Sequence, residues 1–270
     1  MMKTVFGFLC LLFVTSSWGQ QDARLEAYFQ QYPEADANKD GVLSLGEAKV
    51  HRKAQRSSPA QPTRGEGGER RYSSAELAEI YEAREFQGVP YRFFRPDHEA
   101  HPAGTKFPLI LSLHGAGGKG RDNLKNLKPW NGTVTEAGFQ AEYPCFVVAP
   151  QSTGSWKVAG SVPEVTDEMI ASYPPIWQKM AVSRPGFLGK GDSGLILGKV
   201  FGLLDELQEI EPIDVDRVYV LGHSMGGFGT FEALAEQPDR FAAGVPSAGG
   251  LSPWHDPETF AEVPVWAFHG

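Results

Sequence analysis

The sequence predicts an α/β domain built on a mostly parallel sheet. Short apolar runs typical of buried strands alternate with longer amphipathic stretches typical of helices. This alternation favours a parallel sheet with helices on both faces. Two glycine-rich motifs directly follow predicted strands, and open α/β sheets place their sites at the carboxyl ends of their strands. The predicted strands are Tyr91–Arg95, Leu109–Leu113, Cys145–Ala149, Val218–Leu221, Phe241–Val245 and Val263–Phe268, and the clearest helices are Leu195–Leu207 and Phe228–Ala235.

The overall composition excludes two broad classes of protein. The 270 residues carry 25 Lys+Arg against 33 Asp+Glu, a net charge of −8, and 41% are hydrophobic. A nucleic-acid-binding protein would show a basic excess, and a disordered chain would contain fewer apolar residues. We therefore expect a globular protein with no nucleic-acid partner.

The first nineteen residues, 1–19, have the pattern of a secretory signal peptide. Lys3 precedes the apolar run Val5–Val14, and small residues follow at Ser17 and Gly19. The run is too short to cross a bilayer, which needs about 20 residues, so we expect no membrane span in the mature chain. The predicted location is secreted or periplasmic. Cleavage after Gly19 would leave a single cysteine, Cys145, which the strand pattern predicts to be buried.

Residues 20–50 contain an acidic loop that matches the calcium-binding loop of EF-hands at every specified position. Gly41 supplies the sharp turn, and oxygen donors stand where a Ca²⁺ ion needs them. The alternative is a solvated acidic turn between two short helices. Pro33 shortens the entering helix and no second loop of this pattern follows, so we expect weak binding, sufficient outside the cell. The predicted ligands are Asp36, Asn38, Asp40, the Val42 carbonyl and Glu47.

A linker is predicted over residues 51–72, because this stretch is rich in Gly, Pro, Ser and basic residues and lacks apolar periodicity. The predicted catalytic domain then occupies residues 73–270. Ser73-Ser-Ala-Glu76 is a capping box that predicts a helix running to about Phe86, ended by Gly88 and Pro90.

The segment Gly222-His-Ser-Met-Gly226 predicts a nucleophilic serine. It lies between the predicted strand Val218–Leu221 and a helix, so its glycines permit a sharp strand-to-helix turn that exposes the Ser224 hydroxyl. A glycine-rich turn with an incidental serine is the alternative. His223 is expected to contact substrate, with its ring directed away from the position of a general base.

The segment His114-Gly-Ala-Gly-Gly118 predicts an oxyanion loop at the end of the strand Leu109–Leu113. Acyl transfer requires two backbone N–H groups aimed at the developing oxyanion, one from this loop and one from the residue after the nucleophile. Ala116 and Met225 are the predicted donors, with Gly117 as the nearest substitute. His114 is expected to be structural and bonded to backbone.

Five ordered blocks between Tyr91 and Gly270 resemble those of secreted α/β-hydrolase serine esterases, in the branch that groups carboxylesterases, feruloyl esterases and polyhydroxybutyrate depolymerases with prolyl-oligopeptidase-like enzymes. The resemblance implies a small-molecule or polymer-linked ester substrate, Ser224 as nucleophile, and Trp156 as part of the acyl pocket, although plain loop packing is an equal alternative for Trp156. The blocks read FPLILSLHGAGGKGRDN, CFVVAPQ, DRVYVLGHSMGGFGTFEAL, PDRFAAGVPSAGG and VPVWAFHG.

The sequence departs from the family at its end, because the family's catalytic residues follow the chain order Ser, then acid, then His. The resemblance implies an acid just after Val263–Phe268 and a histidine one strand later, so we expect the 270 residues to be an inactive fragment, truncated before the last strand. His255 and Asp256 are expected to be turn residues. A serine peptidase, or a calcium-dependent binding module with an inactive hydrolase domain, are the alternative functions.

Overall fold

The computed structural model describes residues 25–26, 29–30, 32–44, 46–48, 50–51, 72–164, 166–183 and 196–269. The predicted signal peptide and most of the predicted linker lie outside these residues. The chain divides into two compact units, Met1–Gly67 and Gly68–Gly270. No helix among the described residues is long and apolar enough to cross a membrane.

The first unit surrounds the acidic loop with a small apolar core. A 3₁₀ turn at Pro33–Ala35 leads into the loop, and residues 46–48 are helical after it. Ala35, Leu43 and Ala48 are buried, with Leu25, Phe29 and Tyr32 packed against them. Leu43 is therefore covered from within its own unit.

The second unit is a six-stranded mixed sheet in the order β1-β2-β4-β3-β5-β6. The β1/β2 and β2/β4 pairs are antiparallel and the other pairs are parallel, as the alternating pattern predicts. The strands are β1 Glu82–Phe86, β2 Val89–Phe94, β3 Phe107–Leu113, β4 Phe146–Pro150, β5 Ile213–His223 and β6 Ala243–Ser247. The helices are α1 Ser74–Ile80, α2 Pro129–Thr133, α3 Ala137–Glu142, α4 Asp167–Ser172, α5 Pro175–Ser183, α6 Leu197–Ile210 and α7 Met225–Glu236.

The helix predicted to run to Phe86 ends earlier. Ser73 and Glu76 form the expected capping box, but α1 stops at Ile80 and the next residues form strand β1. Gln87 and Gly88 have positive φ angles of 48° and 79°, the geometry of a two-residue hairpin turn between antiparallel strands. Gly88 is therefore a hairpin signal rather than a helix stop.

Both faces of the sheet carry packed side chains. Leu109, Leu111 and Leu113 alternate along β3 and are completely buried in the larger core, which includes residues of α6 and α7. The opposite face packs against residues of α1 and the α2–α3 region, with the Cys145 thiol buried there as predicted. Burial raises the pKa of this thiol to about 11.

The predicted last strand, Val263–Phe268, lies parallel to β6 but pairs with it only through two isolated bridges. These join Gly244 to Val265 and Ser247 to Phe268. The apolar pattern predicts burial, whereas Trp266 is 70% exposed and Phe268 is 46% exposed.

Candidate active site

Ser224 lies at the junction between β5 and α7 in a strained backbone conformation. Its φ is +56° and its ψ is −116°, a combination that residues other than glycine rarely adopt. The Ser224 N–H donates to the Ser247 carbonyl at 2.8 Å, so the turn is tied to the end of β6. Strain of this kind persists only where the surrounding structure enforces it, and it clusters at functional sites.

The glycines around Ser224 are required because backbones approach each other closely. A Cβ placed on Gly226 would lie 2.0 Å from the Leu113 carbonyl oxygen, and one on Gly222 would lie 2.4 Å from the Gly226 carbonyl oxygen. A Cβ placed on Gly227 would lie 2.4 Å from the Ser247 carbonyl oxygen. The start of α7 is thus wedged between the ends of β3 and β6, which fixes where the serine stands.

The loop after β3 lies directly against this turn. A Cβ on Gly115 would be 3.1 Å from the His223 carbonyl oxygen and 3.6 Å from Ser224 Cβ. Ala116 begins the 3₁₀ turn Ala116–Gly118, and Met225 begins α7. The first N–H groups of a helix lack an acceptor within it, so both positions offer amides beside the serine, where the α7 dipole also favours negative charge.

Comparisons with known proteins agree with this architecture. A family model described as alpha/beta hydrolase fold matches residues 203–270. The structure of a thermostable esterase is 28% identical to this chain, with a TM-score of 0.55 over 72% of this chain and 47% of that one. This chain has the α/β-hydrolase fold.

Other solved structures resemble this chain more distantly. The acetyl xylan esterase from Aspergillus awamori is 14% identical, with a TM-score of 0.42 over 66% of this chain and 56% of that chain. The S-formylglutathione hydrolase FrmB from Staphylococcus aureus is 16% identical, with a TM-score of 0.39 over 68% of this chain and 64% of that chain. The chain spans about half of the length of the thermostable esterase, because the match covers 47% of that protein. No curated protein sequence matches it.

His114 holds the predicted oxyanion loop in place. The buried ring donates from Nδ1 to the Gly115 carbonyl at 2.7 Å, and its Nε2 accepts the Ser152 N–H at 2.9 Å. Both bonds require the neutral tautomer with its proton on Nδ1, and burial lowers the pKa of His114 to about 4. The predicted structural role of His114 is confirmed.

Trp156 is a packing residue beneath this loop. Its side chain is 1% exposed, and its indole N–H donates to the His114 carbonyl at 2.8 Å. A Cβ on Gly229 would lie 2.4 Å from Trp156 Cβ, so the indole sits tightly on α7. This burial favours loop packing, one of the two alternatives that the sequence leaves open for Trp156. His223 is exposed, and its Nδ1 would lie 3.9 Å from a Cβ on Gly115.

A buried polar network that the sequence did not predict surrounds Glu232 of α7. Glu232 accepts from Lys157 Nζ at 2.8 Å and from the Ser252 hydroxyl, and its second oxygen lies 2.9 Å from His255 Nε2. Burial would raise the pKa of Glu232, but the His255 hydrogen bond and the Lys157 charge outweigh it, so the pKa is lowered and the carboxylate stays ionised. The one sequence signal is a charged residue within a mostly apolar helix.

His255 is thus more than the turn residue that was expected. Its N–H does close a turn onto the Ser252 carbonyl at 3.0 Å, but its ring belongs to the network around Glu232. Asp256 is a turn residue as predicted, because its carboxylate accepts the Glu258 N–H at 3.0 Å. Ligand atoms of Glu232, Glu236 and His255 lie within 4.8 Å of one another, but the Lys157 ammonium bonded to Glu232 would repel a metal ion there.

The Ser224 hydroxyl has no hydrogen-bonded general base among the described residues. Within them, no hydrogen bond joins the Ser224 hydroxyl to a histidine or a carboxylate. His114 is held between two backbone groups, and His255 is held by Glu232. The structure therefore brings together the predicted nucleophile and the loop that carries a predicted oxyanion amide.

The side chains of the acidic loop in the first unit are hydrogen-bonded to the loop's own backbone. The Asp36 carboxylate accepts the N–H groups of Lys39 at 2.8 Å and Gly41 at 2.9 Å, and Glu47 Oε1 lies 3.3 Å from the Asn38 N–H. The last carboxylate of the loop therefore folds back onto its beginning. Gly41 has a φ of +82°, the sharp turn that the motif requires.

One further oxygen donor in this loop was not predicted. Ser44 stands at the ninth loop position, which EF-hands use directly or through water. Its hydroxyl donates to Glu47 Oε2 at 2.6 Å, and this bond holds the pKa of the exposed Glu47 carboxyl below its usual value. The donor set is all oxygen, which suits Ca²⁺.

Proposed function

We propose that this α/β hydrolase cleaves carboxylic esters through an acyl-enzyme on Ser224. The observation that carries the proposal is the strained turn at Ser224, with φ +56°, packed against the Gly115–Gly118 loop. Packing alone does not require strain and close backbone approach at this partly exposed serine, whereas both features would present its hydroxyl to a carbonyl carbon. The resemblance to a thermostable esterase at 28% identity supports an ester substrate.

The reaction follows from this geometry in two steps. The Ser224 oxygen attacks the acyl carbon while its proton passes to a base, and the carbonyl oxygen becomes an anion held by the N–H groups of Met225 and Ala116. Collapse of this intermediate breaks the bond to the alcohol, which leaves with a proton. Water then attacks the acyl-serine by the same route and releases the acid. The substrate is a small or polymer-linked ester.

A base has to be supplied for this chemistry to be fast. A serine hydroxyl without a base is a weak nucleophile, and removal of a triad member leaves only the residual catalysis of the oxyanion hole and binding. We infer that the described residues alone hydrolyse esters slowly. Added imidazole, a small soluble base, should accelerate the reaction.

The proposal is tested by ester turnover in three proteins. The 270-residue chain, Ser224→Ala and the matched control Ser172→Ala, a serine outside the site, are assayed on 4-nitrophenyl acetate and on a peptide 4-nitroanilide, with and without imidazole. We expect turnover of the ester that depends on Ser224 and rises with imidazole. Equal rates in Ser224→Ala would refute the nucleophile, and cleavage of the anilide alone would establish the peptidase alternative.

For the first unit, we propose that the acidic loop binds Ca²⁺ in a structural role, through Asp36, Asn38, Asp40, the Val42 carbonyl and Glu47. The convergence of Asp36 and Glu47 within one loop supports the proposal. Calorimetric titration of the whole chain with calcium tests it. Binding in the micromolar to millimolar range is expected, and the absence of binding heat at millimolar calcium would refute it.

We also propose that the protein is exported, with cleavage after Gly19. Support comes from the charged start, apolar run and small residues of 1–19. Mass spectrometry of protein recovered from the medium or periplasm of an expressing bacterium should give a chain that begins at Gln20. Recovery of the whole chain in the cytoplasm with Met1 intact would contradict export.

A further inference from the structure

A half-exposed aromatic ring lies one helical turn beyond Ser224. Phe228 follows four residues later in α7, and its N–H donates to the Ser224 carbonyl at 3.0 Å. Four helical residues advance about 6 Å, so the Phe228 ring begins within reach of an ester held at Ser224. Trp177 of α5 packs its ring nearly perpendicular to Phe228, with centroids 5.7 Å apart.

Further apolar side chains extend this surface, which we call the aromatic patch. Tyr173 is buried, while Trp177, Trp254 and Phe228 are half-buried and keep part of their rings open to solvent. A contiguous group of partly exposed aromatic residues beside a reactive group is typical of a ligand-binding surface. The patch comprises Met169, Ile170, Tyr173, Trp177, Phe228 and Trp254.

Two hydrogen-bond donors in the patch have nothing to bond to. Within the described part of the chain, the Tyr173 hydroxyl and the Trp254 indole nitrogen are buried and lack a partner. Buried donors normally find an acceptor, because an unmade bond costs the full desolvation of the group. Burial raises the pKa of Tyr173, so its hydroxyl keeps its proton and remains a donor. An oxygen acceptor brought by a ligand would satisfy either group.

The patch is anchored to the nucleophile helix. Lys157 Nζ lies 4.3 Å from the centre of the Trp254 ring and donates to Glu232 of α7 at 2.8 Å. The buried network around Glu232 therefore fixes Trp254 relative to Ser224. A site held in this way is preorganised, because its side chains are locked by packing and by buried hydrogen bonds.

We propose that the aromatic patch binds an aromatic ring of the substrate, on the acyl or the alcohol side of the ester, that carries an oxygen acceptor. This inference rests on the proposed ester hydrolysis at Ser224. An aromatic ring can pack edge-to-face on Trp177 and Phe228, and its oxygen substituent can accept from the Tyr173 hydroxyl. A plain alkyl chain would bury the patch and leave both donors unsatisfied.

The test measures binding, so that it does not depend on turnover. Two amides that the chain should not cleave, 4-methoxyphenylacetamide and N-(4-methoxybenzyl)acetamide, place the ring on the acyl or the alcohol side. Each is titrated calorimetrically into the 270-residue chain and into Ser224→Ala, beside its counterpart without the methoxy group and its cyclohexyl counterpart. We expect at least one methoxy amide to bind about fivefold more tightly than its unsubstituted partner, and the tighter of the two identifies the side.

Variants separate recognition from folding. Tyr173→Phe should erase the methoxy advantage while the unsubstituted amide binds as before, and Trp177→Leu should weaken both aromatic ligands. Tyr143→Phe removes the same atom from a residue that is 58% exposed and outside the patch, so it should change nothing. The proposal is overturned if cyclohexyl and aromatic amides bind alike, if no methoxy preference exists, or if Tyr173→Phe lowers the melting temperature and leaves the preference intact. Binding with no ester turnover would refute the esterase and retain the patch.

Discussion

The turn at Ser224 and the acidic loop at Asp36 are both short motifs, but they acquire their geometry by different means. The turn is held by backbone groups distant in the sequence, with Gly226 against the Leu113 carbonyl and Ser224 bonded to the Ser247 carbonyl. The acidic loop is held by its own side chains over a dozen residues, as Asp36 and Glu47 illustrate. The first geometry depends on the packed sheet, whereas the second depends on charge and therefore on ions and pH.

The largest effect should follow from adding one carbon to the turn. In Gly226→Ala the new Cβ would overlap the Leu113 carbonyl oxygen at 2.0 Å, and backbone cannot move aside as a flexible side chain can. We expect the free energy of unfolding to fall by about 3 kcal/mol or more. Gly138→Ala, in helix α3 with nothing within 4 Å of the new Cβ, is the control and should be neutral or slightly stabilising. Urea denaturation measures both, and equal stability of the two variants would show that the turn is not held by backbone contact.

Acid should weaken the oxyanion loop through His114. The pKa of His114 is about 4 when folded, against 6.5 for an unperturbed histidine, so the unfolded chain binds the extra proton between these values. Stability should therefore fall as the pH drops from about 6.5 to about 4, by about 3 kcal/mol from this group, with no further loss below. Urea midpoints measured across this range should show a steeper decline for the native chain than for His114→Gln. Identical slopes would contradict the neutral buried histidine.

Relief of strain at Ser224 should produce a smaller effect of the opposite sign. Ser224→Gly introduces a residue that tolerates the positive φ of +56° at this position. We therefore expect the free energy of unfolding to rise by about 1 kcal/mol, while the nucleophile is lost. Ser224→Ala loses the hydroxyl and keeps the strained Cβ, so it should gain nothing. A thermal melt of the three proteins distinguishes them, and a destabilised glycine variant would argue against stored strain.

The smallest effect on the second unit should come from the acidic loop. Glu47→Gln removes the charge of the last ligand, and we expect calcium affinity to fall at least about tenfold while ester turnover at Ser224 stays unchanged. Glu34→Gln changes a carboxylate next to the loop that is not a predicted ligand, and it serves as the control in the titration. A large loss of turnover in Glu47→Gln would show that the two units act together.

The sequence predicts features that depend on local pattern and misses those that depend on distant contacts. The strand–turn–helix at Ser224 and the loop at His114 are visible because glycines and apolar runs report backbone geometry directly. Strand β1 was missed because Gly88 is compatible with a helix end as well as a hairpin, and only pairing with β2 decides between them. The role of Glu232 could not be predicted, because its partners Lys157 and His255 come from other loops.

The most direct test of the account is the labelling of Ser224 by a fluorophosphonate probe, with and without imidazole. Mass mapping of the modified residue and the labelling rate are measured for the 270-residue chain and for Ser224→Ala. We predict slow modification confined to Ser224, acceleration by imidazole, and none in Ser224→Ala. Modification of another residue instead, or no reaction at Ser224 even with imidazole, would contradict the assignment of Ser224 as the nucleophile.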